Sequence, residues 1–263
     1  MPRASPAQIA RAPAGLYLSA RPDGIFLINL EVVSIMPTVV ITGAAGAIGS
    51  VTAHTFQDAG WDLGLIDYGK ENRTRLEQEF PAAHVESCDL TDESATREAI
   101  DAIGQTTGGV DATLGIAGGF AMHAADEAGR EAYDHMMGMN FRTLFNTARA
   151  ALPHLKDGEP GLLLGVSAPA AEEGGANVGL YAASKAAVAA YLKSLDAELQ
   201  EEGVRTSVLY PMGVVDTEAN RSAMPDGDPD DWIAPKELAE GMLHVATRSR
   251  RGHIPELKVY AAS

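Results

Sequence analysis

Val39-Val40-Ile41-Thr42-Gly43-Ala44-Ala45-Gly46-Ala47-Ile48-Gly49 is the stretch on which the fold turns. An apolar run of strand length ends at Thr42, glycines follow at three-residue spacing, and a helical pattern opens at Ala47. Glycines so spaced remove every Cβ where a pyrophosphate must approach the backbone, and the following helix N-terminus offers it free N–H groups. No charged residue stands between Val32 and Gln57, so a hydropathy window would flag a membrane span. Pro37, the three glycines and the change of polarity at mid-segment instead give strand, turn and helix.

Outward from this turn, apolar runs of strand length alternate with helical patterns. Strands are expected at 39–42, 63–66, 84–87, 112–116, 162–166, 206–209 and 257–260. Helices are expected at 47–59, 71–80, 93–103, 127–155, 181–201 and 235–247. This alternation implies parallel strands joined by right-handed crossovers. Several strands are almost continuously apolar, as strands buried on both faces must be. The expected fold is α/β: one doubly wound Rossmann-like domain, a mostly parallel seven-stranded sheet with helices on both faces, over residues 36–263. Residues 1–35, with Pro2, Pro6, Pro13 and Pro22, read as an N-terminal extension, disordered or upstream of the true start. Arg21 and Asp23 interrupt any secretory signal there.

The chain carries 20 Lys+Arg against 36 Asp+Glu, a formal charge of −16, which would repel nucleic acid and anionic membranes. Cys88 is the single cysteine, so no intrachain disulfide forms, and a reducing cytoplasm fits. It reads as a small buried strand-end residue. The histidines at 54, 84, 123, 135, 154, 244 and 253 form no metal-ligand spacing, so no metal is expected. Met136, Met137 and Met139 read as core or subunit-face residues rather than cofactor contacts.

Asp67 ends the second strand 24 residues after Gly43. A carboxylate there can accept from adenosine ribose hydroxyls and repel a 2′-phosphate, favouring NAD over NADP. No Arg or Lys stands directly beside it, although Lys70 is close. A second signal is Tyr181-Ala182-Ala183-Ser184-Lys185, whose ends share a helix face at the carboxyl edge of the sheet. A free phenol titrates near pH 10, so acid–base work at neutrality needs about 4 kcal/mol of help. A nearby cation in a partly desolvated pocket can supply it.

Together these residues resemble the short-chain dehydrogenase/reductase family over nearly all of 36–260. The turn carrying Gly43, Gly46, Ala47, Ile48 and Gly49 matches its Thr-Gly-rich motif, and Asp89-Leu90 matches the pair at the adenine. Asn140 matches the asparagine supporting a proton relay, and Tyr181 with Lys185 matches the catalytic pair, the lysine also holding the nicotinamide ribose. The resemblance implies hydride exchange with nicotinamide on a carbonyl/secondary-alcohol substrate, a small molecule, by a homodimer or homotetramer. It also implies cofactor contacts from Ala117-Gly118-Gly119, Pro211, Gly213 and Thr217.

Three departures mark a subgroup. Gly115-Ile116-Ala117-Gly118-Gly119 stands where the family usually has Asn-Asn-Ala-Gly, and one residue is inserted in Pro211-Met212-Gly213. The usual catalytic serine lies 13 residues before the tyrosine, where this chain has Ala168; Ser167 lies 14 before. Either a one-residue loop adjustment brings Ser167 in, or Tyr181 works without a serine. With Asp216-Thr217, Asn220-Arg221 and Met224-Pro225, these features are similar to the dihydropteridine reductase branch, where reduction of a quinonoid dihydropterin is the implied alternative. A silent dinucleotide-binding or sensor protein is the third reading, and the intact Asn140–Tyr181–Lys185 set argues against it.

Overall fold

The computed structural model describes residues 16–20, 26–30, 36–157, 161–249 and 251–261. Two units separate at Pro37. In the first, β1 (Leu16–Ala20) and β2 (Phe26–Leu30) pair antiparallel, Leu16 opposite Leu30 and Ala20 opposite Phe26. The sequence reading had no strand in this region. The apolar run at 26–30 finds a ladder partner in 16–20, which period-2 patterning alone did not announce. The remainder of the proposed N-terminal extension lies outside the described residues.

The second unit carries a seven-stranded sheet in the order β5-β4-β3-β6-β7-β8-β9. Its strands are β3 (Thr38–Thr42), β4 (Asp62–Asp67), β5 (His84–Ser87), β6 (Ala112–Gly115), β7 (Leu162–Val166), β8 (Arg205–Met212) and β9 (Glu256–Tyr260). Every ladder between them is parallel. The covering helices are α1 (Ala47–Asp58), α2 (Lys70–Glu79), α3 (Glu93–Thr107), α4 (Arg130–Met136), α5 (Thr143–Asp157), α6 (Ala170–Glu173), α7 (Gly179–Leu199), α8 (Glu218–Ala223) and α9 (Pro235–Ala246).

Alternate side chains of each strand go to opposite layers. Val39 and Ile41 join Phe56, Leu76 and Met242 on one face, while Val40 joins Ile100, Leu155 and Leu192 on the other. Such side chains contribute about 1.5–3 kcal/mol each on burial, so both faces hold the sheet. The chain leaves β3 toward β4 and β5 on one side and resumes at β6 on the other. The crevice where strand order reverses is where such sheets take ligands.

Several element boundaries differ from the expected ones, and two of the differences bear on the site. The helix expected over 127–155 is three pieces, α4, a π-helical stretch at Met137–Arg142, and α5. The wider turn places Asn140 inside the protein, and periodicity averaged over the segment hides it. β8 runs on to Met212 because Pro211 sits opposite Val259 of the edge strand β9, on the sheet's last ladder.

Candidate active site

One cleft of about 1520 Å³ lies along the carboxyl ends of β3, β4, β6 and β7. That exceeds the ~300–1,000 Å³ of a typical small-molecule pocket and has room for a long coenzyme with a substrate. The glycine turn forms its floor. Gly43 adopts φ +69, and a Cβ there would stand 2.8 Å from Ala117 Cα. A Cβ on Gly49 would stand 2.0 Å from the Gly43 carbonyl oxygen. The turn is a cradle that side chains would fill, and α1 begins directly behind it. These residues fit a dinucleotide phosphate.

Asp67 lies beside this turn. Its Oδ2 accepts from the Ala45 N–H at 2.8 Å, and Oδ1 accepts from the Tyr68 N–H and Asn72 Nδ2, both at 2.8 Å. Asp89 Oδ1 accepts from the Thr91 N–H and hydroxyl. The Leu90 carbonyl accepts from Asn146 Nδ2 at 2.9 Å, fixing that loop against α5. Cys88 is half-buried at the cleft wall rather than buried, and burial with nearby carboxylates pushes its thiol up to about 11.

At the other end, Tyr181 and Lys185 project from α7. Asn140 is 1% exposed; its Oδ1 accepts from the Gly119 N–H, and its Nδ2 donates to the Gly119 carbonyl and to Ser184 Oγ. A Cβ on Gly118 would lie 2.6 Å from Asn140 Oδ1 and 3.2 Å from Lys185 Nζ. The three elements therefore meet where only hydrogen fits. The two residues closing β7 hold Lys185 twice: its Nζ donates to the Val166 carbonyl at 2.9 Å, and Ser167 Oγ donates to the Lys185 carbonyl at 2.9 Å. Burial lowers the Lys185 ammonium to about 8 and pushes the Tyr181 phenol up. Burial thus acts on the phenol in the direction opposite to the help expected from a nearby cation. The buried ammonium has taken a carbonyl acceptor, and desolvation governs the phenol.

The mouth at this end is apolar. Phe120 meets the Tyr181 ring edge-on, centroids 4.9 Å apart, and Phe120 and Met122 are 60% and 57% exposed on the cleft. The His123 N–H donates to the Asn177 carbonyl at 2.7 Å, tying the Phe120 loop to the segment before α7. Thr217 caps α8 through the Asn220 N–H and lines the cleft with Pro211 and Gly213.

The cleft brings together every site residue expected from the sequence except Asn140, which sits behind its wall. Met139 does line it, contrary to the core or subunit-face reading, because the π-helical stretch turns that residue toward Gly119. Sequence reasoning missed Phe120, Asn72 and Arg75, and it took Met224 only as part of a branch-like segment, not as a cleft residue. Of these, only Asn72 and Arg75 left a trace, the i, i+3 spacing that puts them on one side of α2. Among the described residues, no three His, Cys, Asp or Glu side chains gather as a metal would require, and no helix is long and apolar enough to cross a membrane.

A parallel doubly wound sheet with a glycine cradle, an acidic strand end and a Tyr–Lys pair in one cleft defines an NAD(P)-dependent oxidoreductase of the Rossmann type. Residues 37–227 match the short chain dehydrogenase family, and the chain belongs to it. An uncharacterized oxidoreductase of Staphylococcus aureus strain USA300 is 27% identical over 222 residues, covering 84% of this chain and 95% of the relative. An NADPH-bound short chain oxidoreductase of Pseudomonas aeruginosa PAO1, described as containing an atypical catalytic center, superposes with TM-score 0.77 at 22% identity, covering 85% of this chain and 95% of that one. A 3-ketoacyl-(acyl-carrier-protein) reductase of Brucella melitensis, complexed with NADH, gives 0.75 at 24%, covering 85% and 96%.

Proposed function

We propose that this chain interconverts a carbonyl and a secondary alcohol on a small molecule, with Tyr181 as the acid/base and NAD as the preferred coenzyme. The observation carrying this reading is the convergence of Tyr181, Lys185 and the Asn140-braced Gly118-Gly119 turn at one end of the cleft. The bound nicotinamide would supply or take up the hydride. In the reducing direction the carbonyl π pair moves to oxygen as the C–H bond forms, and Tyr181 Oη gives that oxygen its proton; oxidation reverses both. Lys185 adds positive charge beside the phenol and holds the ribose, while Asn140 positions the Gly118-Gly119 loop. Asp67 supports the preference for NAD by its place at the end of β4. Half-buried Phe141 of the π-helical stretch, Phe145 of α5 and Tyr191 of α7, packed ring against ring, support a homodimer or homotetramer. The lone cysteine supports a cytoplasmic setting.

A second reading, reduction of a quinonoid dihydropterin, is favoured by one observation. Ser167 spends its hydroxyl on Lys185 and Ala168 offers none, so no serine hydroxyl is aimed at a substrate oxygen. A panel of ketones, 3-oxoacyl thioesters and quinonoid dihydropterin, followed by loss of reduced-nicotinamide absorbance, separates the two. Turnover confined to the pterin selects the second, and no turnover on any member leaves a binding protein.

A further inference from the structure

Exposed apolar side chains collect along the cleft. Seven large ones are exposed among the described residues, and four of them, Tyr68, Phe120, Met122 and Met224, line it. Exposed apolar groups gathered in one place mark a binding surface, because they leave water only when a ligand covers them. At the Tyr181 end the arrangement is specific. The rings of Phe120 and Tyr181 stand at 81° to each other with centroids 4.9 Å apart. They form a corner: a flat ring stacked on one presents its edge to the other, and aromatic pairs favour both arrangements. Met139 lies against the residue before Phe120, where a Cβ on Gly119 would stand 2.1 Å from its sulfur. Thioethers favour contact with ring edges. The corner is held from a second segment. The His123 N–H donates to the Asn177 carbonyl at 2.7 Å, fastening the Phe120 loop to the chain leading into α7, which carries Tyr181. Among the described residues, Asn177 is the one non-glycine residue with a left-handed backbone, at φ 62. Asparagine tolerates that conformation where a β-branched residue would be strained.

We propose that Phe120 is a specificity-determining residue that, in a corner with Tyr181, selects an aryl carbonyl compound as the substrate. The proposal rests on the carbonyl-reducing reading above and names its substrate class. The chemical step is unchanged: hydride from the reduced nicotinamide bonds to the carbonyl carbon, and Tyr181 Oη gives the oxygen its proton. An aryl ring keeps a conjugated carbonyl in its own plane, so seating the ring also orients the reacting group. A carboxylate on the ring is disfavoured, because against Phe120, Met122 and Met139 it would lose water and gain no donor. Asn177 acts through Phe120 as a positioning residue.

The test compares three ketones on the whole chain, with NADH and NADPH each supplied: acetophenone, 2-octanone with the same number of carbons but no ring, and 4-acetylbenzoate. The wild type should favour acetophenone over 2-octanone in kcat/KM by about tenfold or more, and 4-acetylbenzoate should fall below acetophenone. Phe120→Leu keeps apolar bulk without the ring, at an exposed position where folding is spared, and should remove most of the preference. Asn177→Val should raise KM for acetophenone several-fold with a smaller change in kcat, and Asn177→Gly, which keeps the backbone conformation, should recover most of that KM. Equal use of the two neutral ketones, or a preference that survives Phe120→Leu, would overturn the proposal and leave the carbonyl reading intact. A preference for 4-acetylbenzoate would overturn it too, passing specificity to a cation such as Arg142, which also lines the cleft. An unchanged KM in Asn177→Val would remove Asn177 from the positioning role. If the folded chain binds NADH by fluorescence yet reduces none of the three, the carbonyl reading and the proposal fall together.

Discussion

At the end of β3 the cleft wall is main chain: Gly43 against Ala117, Gly49 against the Gly43 carbonyl, with no room for a Cβ. At the end of β7 it is side chain: Tyr181 and Lys185 from α7 and Phe120 from the loop after β6, with Asn140 of the π-helical stretch bracing the Gly119 backbone from behind. The first end is a surface shaped for any dinucleotide phosphate. The second is an assembly from three separate segments, each free to carry a different residue. A backbone site is written in glycines and tolerates little; a side-chain site can change chemistry while the fold stays the same.

The contrast breaks most sharply at Tyr181. Tyr181→Phe keeps the ring against Phe120 and removes the transferable proton, so turnover should fall about 10²–10⁴-fold while NADH affinity by fluorescence is retained. Near-normal turnover in this variant would leave only the glycine end functional. Gly118→Ala tests the junction of the two regions, because its Cβ would press on both Asn140 and Lys185. Displacing those groups should cost roughly 10²-fold in kcat, with the far-ultraviolet circular dichroism unchanged. An unaffected kcat would show that the close approach is slack.

Lys185 gives the pH dependence. Its folded value of about 8 lies below the ordinary 10.5, so the charged form is lost as pH rises through 8. If that charge is needed, kcat/KM for reduction should drop about tenfold per pH unit above this point. Stability moves the opposite way. Between about 8 and 10.5 the unfolded chain holds a proton that the folded chain has released, so Tm should rise with pH across that window, and Lys185→Met should flatten both curves.

Ser167→Ala is a smaller effect. It removes a hydrogen bond to the Lys185 carbonyl, worth about 1 kcal/mol of stability, and should cost less than about tenfold in kcat/KM, or 1.4 kcal/mol. A thousandfold loss would instead put Ser167 at the substrate oxygen. The least effect is expected from a chain beginning at Met36, whose Tm should stay within about 2 °C of the full chain. A larger drop would assign a stabilising role to the segment before it.

The sheet was legible because strands buried on both faces must be almost continuously apolar, as 39–41, 63–66 and 162–166 are. The glycine turn was legible because steric exclusion leaves a residue-type mark at fixed spacing. Tyr181 and Lys185 were legible because a helix turn fixes i and i+4 within one segment. Other features were decided by contacts between distant segments. Local spacing could not say whether Ser167 or Ala168 faces the substrate; the hydroxyl's bond to Lys185, 18 residues on, settles where that group points. Nor could it bring Arg75 to Ala45 across 30 residues, or set the Lys185 ammonium on the Val166 carbonyl. The sequence by itself determined what lies within one strand, turn or helix, because covalent geometry fixes those distances. Only the tertiary structure decided which polar groups are already satisfied and which remain free for a ligand, because burial and hydrogen-bond partners come from the packing of segments far apart in the chain.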